Sequence, residues 1–149
     1  MKLLLLIVFF SILGCKESVV KKNNSDSSLE MKRTECIERI FAKDSFLGNV
    51  RNHASEKIPL KDALNNYTSE LESLDYTNCP ENFISAFQDH INAWKKVAEI
   101  SSKYPSLRGE LHDIFLQLEK SKDSIELKSL VKQVWDTWSK VEESASNQS

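Results

Sequence analysis

From Leu29 to about residue 143 the apolar residues return at steps of three and four, the spacing that lines one face of an α-helix. Leu29, Cys36, Ile37, Ile40, Phe41 and Leu47 mark a first helix. The pair Gly48-Asn49 is expected to stop it, because both residue types adopt the left-handed conformation that ends helices. Residues 48–57 carry no clear period. Pro59 then suits a first helical turn, where its missing N–H costs nothing, and Leu60, Ala63, Leu64, Tyr67, Leu71 and Leu74 form the stripe of a second helix over 59–74. Asn78-Cys79-Pro80-Glu81 combines a capping residue, an early proline and an acid placed where the helix dipole favours negative charge. It opens the strongest helix, whose apolar face of Phe83, Ile84, Phe87, Ile91, Trp94, Val97 and Ala98 is broad enough to need partners on two sides. Ser106 is placed to cap a fourth helix through Leu107, Leu111, Ile114, Phe115 and Leu118. Ser124 is placed to cap a fifth through Leu127, Leu130, Val131, Val134, Trp138 and Val141. The polar end is expected to fray, leaving 144–149 as a disordered tail.

Three glycines and three prolines in the whole chain are too few to punctuate the many short strands of an all-β fold. The short connections imply antiparallel neighbours. The predicted fold is therefore an all-α antiparallel bundle of four to five helices over residues 29–143. The 20 Lys and Arg face 22 Asp and Glu without clustering, which argues against a nucleic-acid surface.

The pattern changes at the N-terminus, where one Lys precedes an unbroken apolar run from Leu3 to Phe10 and then Ser-Ile-Leu-Gly-Cys. A run this short does not cross a bilayer, which takes about 20 residues, and reads as a secretory signal. Leu13-Gly14-Cys15 resembles the lipobox of bacterial lipoproteins. The resemblance covers residues 1–15 and implies that 1–14 are removed and that Cys15 carries the lipid. It implies a protein of the bacterial cell envelope, held to the membrane by its N-terminal lipid. Lys16 stands where inner-membrane retention would place Asp, so in a host with two membranes the resemblance implies the outer one. Residues 15–28 comprise the lipidated Cys15 and a flexible tether, too poor in apolar residues to repay ordering. Export also places Cys36 and Cys79 in an oxidising compartment, where the pair is expected to bond rather than to remain as two buried thiols.

Candidate chemistry is sparse. His90 falls within the apolar stripe of the third helix, among Phe83, Phe87, Trp94 and Val97. It is read as a core histidine bonded to a backbone carbonyl or an acid of another helix, with a pocket or ligand role as the alternative. Arg108 and His112 are expected on one flank of the fourth helix, with Gly109 inside that helix marking a close backbone approach. Trp135 sits at the edge of the fifth stripe, where a half-exposed indole can anchor a partner. No Glu precedes a His by three residues, no Cys-x-x-Cys-His occurs, and no nucleophile elbow, zinc-protease or phosphate-loop motif is present. No metal site and no cofactor is expected, and the chain is read as a non-enzyme. The leading expectation is an envelope accessory module that binds a protein partner. The alternative is a small-ligand or haem bundle using His90, with Met31 or His112 as a second haem ligand.

Overall fold

The computed structural model describes residues 24–147, so the expected signal sequence, Cys15 and positions 15–23 of the expected tether lie outside the described residues. Five helices follow in order: α1 Asn24–Ser55, α2 Leu60–Glu72, α3 Glu81–Ser101, α4 Leu111–Leu118 and α5 Ser124–Ser146. α1 packs on α2, α2 on α3, and α3 on α5. Successive bonds pair His90 with Thr137, Lys96 with Gln133, and Lys103 with Asp123 and Glu126, so α3 and α5 run antiparallel. The long helices thus form an up-and-down four-helix bundle, and α4 is a short helix within the α3–α5 connection. The apolar stripes meet around Ile40, Leu64, Leu71, Phe83, Phe87 and Ile91, all essentially without solvent exposure.

Cys36 and Cys79 are joined, with Cα atoms 5.2 Å apart, a separation that suits a disulfide. The bond ties α1 to the residue before Pro80. Arg39, one turn beyond Cys36, donates to the Asp75 carbonyl at 2.8 Å in the same connection.

Several boundaries differ from the sequence pattern. α1 begins at Asn24, within the segment expected to be tether, and Leu29 is 52% exposed rather than part of the core. Gly48-Asn49 does not stop α1, because its C-terminal turns find partners of their own. Ser55 is buried and its hydroxyl donates to the carbonyls of Asn52 and Gly109. The helix ends at Ser55 and a turn over residues 56–58 follows, leading to Pro59, which disfavours helical backbone at Ile58. Asn78 does not cap α3. It takes a left-handed φ of 69°, and Pro80 occupies the capping position without a side-chain bond. α5 continues into the expected tail, where Ser144 is buried.

The largest difference surrounds α4. Ser106 does not cap it. Glu110 does, its carboxylate accepting the backbone N–H groups of His112 and Asp113 at 2.9 and 3.2 Å. Gly109 therefore lies outside the helix, with φ 146°, a conformation that side-chain-bearing residues rarely adopt. Its N–H donates to the Ser55 carbonyl at 2.9 Å, and the Leu107 carbonyl accepts the Leu60 N–H at 3.0 Å. Residues 107–109 thus satisfy backbone groups that the end of α1 and the start of α2 leave open. Gly109→Ala should cost about 1–2 kcal/mol from backbone strain, since the nearest atom to an added Cβ, on Ile114, is at an ordinary 3.7 Å. Chemical denaturation checks this, and a variant as stable as the parent would show that the loop relaxes freely.

Candidate functional site

α1 and α5 are not among the helix pairs whose backbones pack closely, and a cleft lies between them. Its volume is about 280 Å³. α1 contributes Asp44, Ser45, Gly48, Asn49, Arg51 and Asn52, while α5 contributes Val134, Trp135 and Trp138. Tyr67 of α2 and His90 and Trp94 of α3 complete the lining. Asp44, Ser45 and Trp138 also line a wider groove of about 690 Å³, which continues along the two helices past Phe41, Glu142 and Ala145.

The lining is held by aromatic packing. Trp138 lies against Phe41 and His90, with ring centroids 5.6 and 5.2 Å apart, and Tyr67 meets Trp94 edge-on at 5.9 Å. Arg51 rests its guanidinium on both rings of that last pair, 4.5 Å from the Tyr67 centroid and 4.2 Å from that of Trp94. Its Nε and Nη2 both donate to Asn52 Oδ1 at 3.1 Å. The Tyr67 hydroxyl donates to Asp44 Oδ1.

Burial sets the protonation of these groups. It pushes the Asp44 carboxyl upward, against the opposing effects of the Tyr67 hydrogen bond and the Arg51 charge. Burial also holds Arg51 below the usual guanidinium range and raises the Tyr67 phenol. His90, 4% exposed, is pushed down to about 4, chiefly by burial, so its imidazole is neutral at physiological pH. Its Nε2 accepts from Trp94 Nε1 at 3.1 Å, which places the ring proton on Nδ1, bonded to Thr137 Oγ1 at 3.1 Å. Thr137 in turn donates to backbone carbonyls one turn back on α5. This chain fixes the Trp94 indole and, through it, the surface that carries Arg51.

No known family, curated protein or solved structure matches the chain.

Of the residues singled out from sequence, the structure brings His90 and Trp135 to the cleft. Trp135 stands at its rim, 65% exposed, as its position at the edge of the stripe suggested. His90 finds its partners on α5 and on its own helix: the Val134 backbone, as expected, together with a threonine hydroxyl and an indole that the sequence did not suggest. Both ring nitrogens are engaged, so neither is free to bind a metal in this arrangement. Arg108 and His112 do not share a helix flank. Arg108 precedes α4, both side chains are exposed, and neither lines the cleft. Met31, on the exposed first turns of α1, does not line it either. Among the described residues no three His, Cys, Asp or Glu side chains gather to hold a metal ion. No helix among them is long and apolar enough to cross a membrane.

Sequence reasoning missed Asp44, Gly48, Arg51 and Tyr67 as site residues. The signal was available in the continuation of the α1 stripe. Ile37, Ile40, Asp44, Leu47, Arg51 and Ala54 follow one another at steps of three and four, so two charged residues occupy the helix's inward face. Tyr67 gave no signal of its own, because a tyrosine in an apolar stripe is ordinary core.

Proposed function

We propose that this chain is a lipid-anchored bacterial envelope protein that acts by binding, with the α1–α5 cleft as its recognition site. The anchoring rests on the likeness of residues 1–15 to a lipobox. The observation that carries the binding role is the cleft itself, where a guanidinium and an exposed Trp135 meet on helices held rigid by a packed core. Rigid placement of an aromatic anchor beside a charged donor is the arrangement that recurs at the centre of binding sites. Binding is favoured over catalysis because His90 and Asp44, the cleft's candidate bases, are already engaged, His90 within the core and Asp44 by Tyr67. The envelope partner expected from the sequence would meet the domain here, and the exposed Phe46 and Val50 flank the same side through Asn49.

Cys15→Ser should abolish fatty-acid labelling and leave the precursor uncut, and equal palmitate labelling of parent and variant would reject the anchor. The cleft is tested by a photo-crosslinking residue in place of Trp135, with a second probe at Lys61, an exposed position on α2 that does not line the cleft. An adduct in living cells, protein or small molecule by mass, should form from position 135 alone and disappear in Gly48→Leu. Equal adducts at both positions, or an adduct indifferent to Gly48→Leu, would remove the cleft from the proposal.

A further inference from the structure

Arg51 is a half-buried cation that makes no direct ion pair, although the charge of Asp44 acts on it. Charges withdrawn from water are ordinarily answered by an opposite charge, because removing the solvent is costly. Arg51 instead uses neutral acceptors, Asn52 and the Tyr67 hydroxyl, and two aromatic faces. Among the described residues it forms no ion pair. Asp44 lines the same cleft, but it stands two helical turns back and its carboxylate takes the Tyr67 hydroxyl. No buried side-chain nitrogen among the described residues lacks a hydrogen-bond partner. The Arg51 guanidinium, held by Asn52 and the Tyr67 hydroxyl, lines the cleft.

Gly48 supplies a second observation that is independent of charge. It lies inside α1 in ordinary helical backbone, where glycine is less stable than alanine. A glycine in such a place is usually required by crowding from a neighbouring helix, and here nothing crowds it. The nearest atom to an added Cβ is Arg51 Nη2, at 3.8 Å, an ordinary contact with the end of a flexible side chain. What the missing side chain does is keep space open beside the guanidinium. Across that space stand Trp135, mostly exposed, and Trp138.

We propose that the Gly48–Arg51 end of the cleft binds a small molecule bearing one carboxylate on a flat apolar ring, with the carboxylate against the Arg51 guanidinium and the ring over Gly48 beside Trp135. The proposal rests on the reading of the cleft as the recognition site. One guanidinium matches one carboxylate through its fork of donors. A doubly charged phosphate would be repelled by Asp44 without a second cation to compensate. The flat body follows from the indole walls and from a volume of about 280 Å³.

The test titrates the purified full chain calorimetrically with 2-naphthoate, its neutral amide 2-naphthamide, the cation 2-naphthylmethylammonium and the flexible acid hexanoate, against detergent blanks. Naphthoate should bind saturably, about tenfold or more tighter than each of the others. Gly48→Leu should weaken it by about tenfold or more while melting at or above the parent temperature. That combination separates a filled site from a damaged fold. Arg51→Gln should bring naphthoate down to the level of naphthamide, and Gly48→Leu carries the test if that variant does not fold. Equal affinity for naphthoate and naphthamide, or for naphthoate and hexanoate, overturns the proposal, as does full binding by Gly48→Leu or no saturable binding at all. Preference for the ammonium also overturns it and assigns the cleft to cations held by Asp44. If naphthoate fails while the position-135 adduct still depends on Gly48, the carboxylate inference falls and the cleft remains the recognition site. Loss of both sinks the cleft itself.

Discussion

Reduction of the Cys36–Cys79 bond is expected to lower the stability of the bundle by about 4 kcal/mol and its melting temperature by roughly 15 °C. The size comes from the unfolded chain, in which the bond closes a loop spanning 43 residues and so removes conformations that the reduced chain regains on unfolding. The folded side of the comparison changes less. Cys36 is buried between α1 and its neighbours, and Arg39 still ties this part of α1 to the Asp75 carbonyl. Melting curves with and without reductant measure the effect, and the double variant Cys36→Ala, Cys79→Ala repeats it without a reagent. A shift of under a few degrees in both would mean that the unfolded chain is already compact around this loop.

Acidification from pH 7 to pH 4 is expected to remove roughly 3 kcal/mol through His90 alone. Its folded value of about 4 lies below the ordinary 6.5, so between these values the unfolded chain binds a proton that the folded chain excludes. Stability from this group is therefore complete above about pH 6.5 and falls as pH drops toward 4. The structural cause is that protonation at Nε2 turns the acceptor of the Trp94 N–H into a donor and places a charge in a nearly inaccessible site. Asp44 acts in the opposite sense, because its raised folded value lets the native state take up a proton first. His90→Ala isolates the histidine. It should lose a few kcal/mol at pH 7, from the cavity and from the unpaired Trp94 and Thr137 groups, and its remaining stability should depend much less on pH. Denaturant titrations at pH 7, 5.5 and 4 decide the matter, and parallel profiles for parent and variant would falsify the assignment to His90.

The same chain of bonds joins stability to the cleft. Trp94 is held by His90, and Arg51 lies on Trp94, so the group that resists acid also holds the floor on which the guanidinium rests. A loss of cleft binding near pH 4 would thus accompany the loss of stability rather than precede it.

The all-α class, the five helices and the antiparallel bundle were legible in the sequence because each rests on local periodicity. Apolar steps of three and four bury one face wherever the helix finally lies. The pairing of Cys36 with Cys79 was legible for a different reason, since a chain expected to be exported, with two cysteines beyond the lipobox-like Cys15, has one natural bond to make. The exposure of Trp135 followed from its angle on α5. What only the tertiary structure decided were features in which distant segments satisfy one another. α1 runs through Gly48-Asn49 to Ser55, although Gly48-Asn49 read as a stop. Gly109 looks like a flaw in a helix until its N–H is seen to meet Ser55, 54 residues away. His90 required Thr137 from α5, and no spacing within α3 announces a hydroxyl on another helix. Arg51 and Asp44 read as charges interrupting a stripe. They become parts of a cleft only because α5 lies across from them at a distance that leaves the space open, and helix spacing is fixed by how whole faces pack rather than by any one segment's pattern.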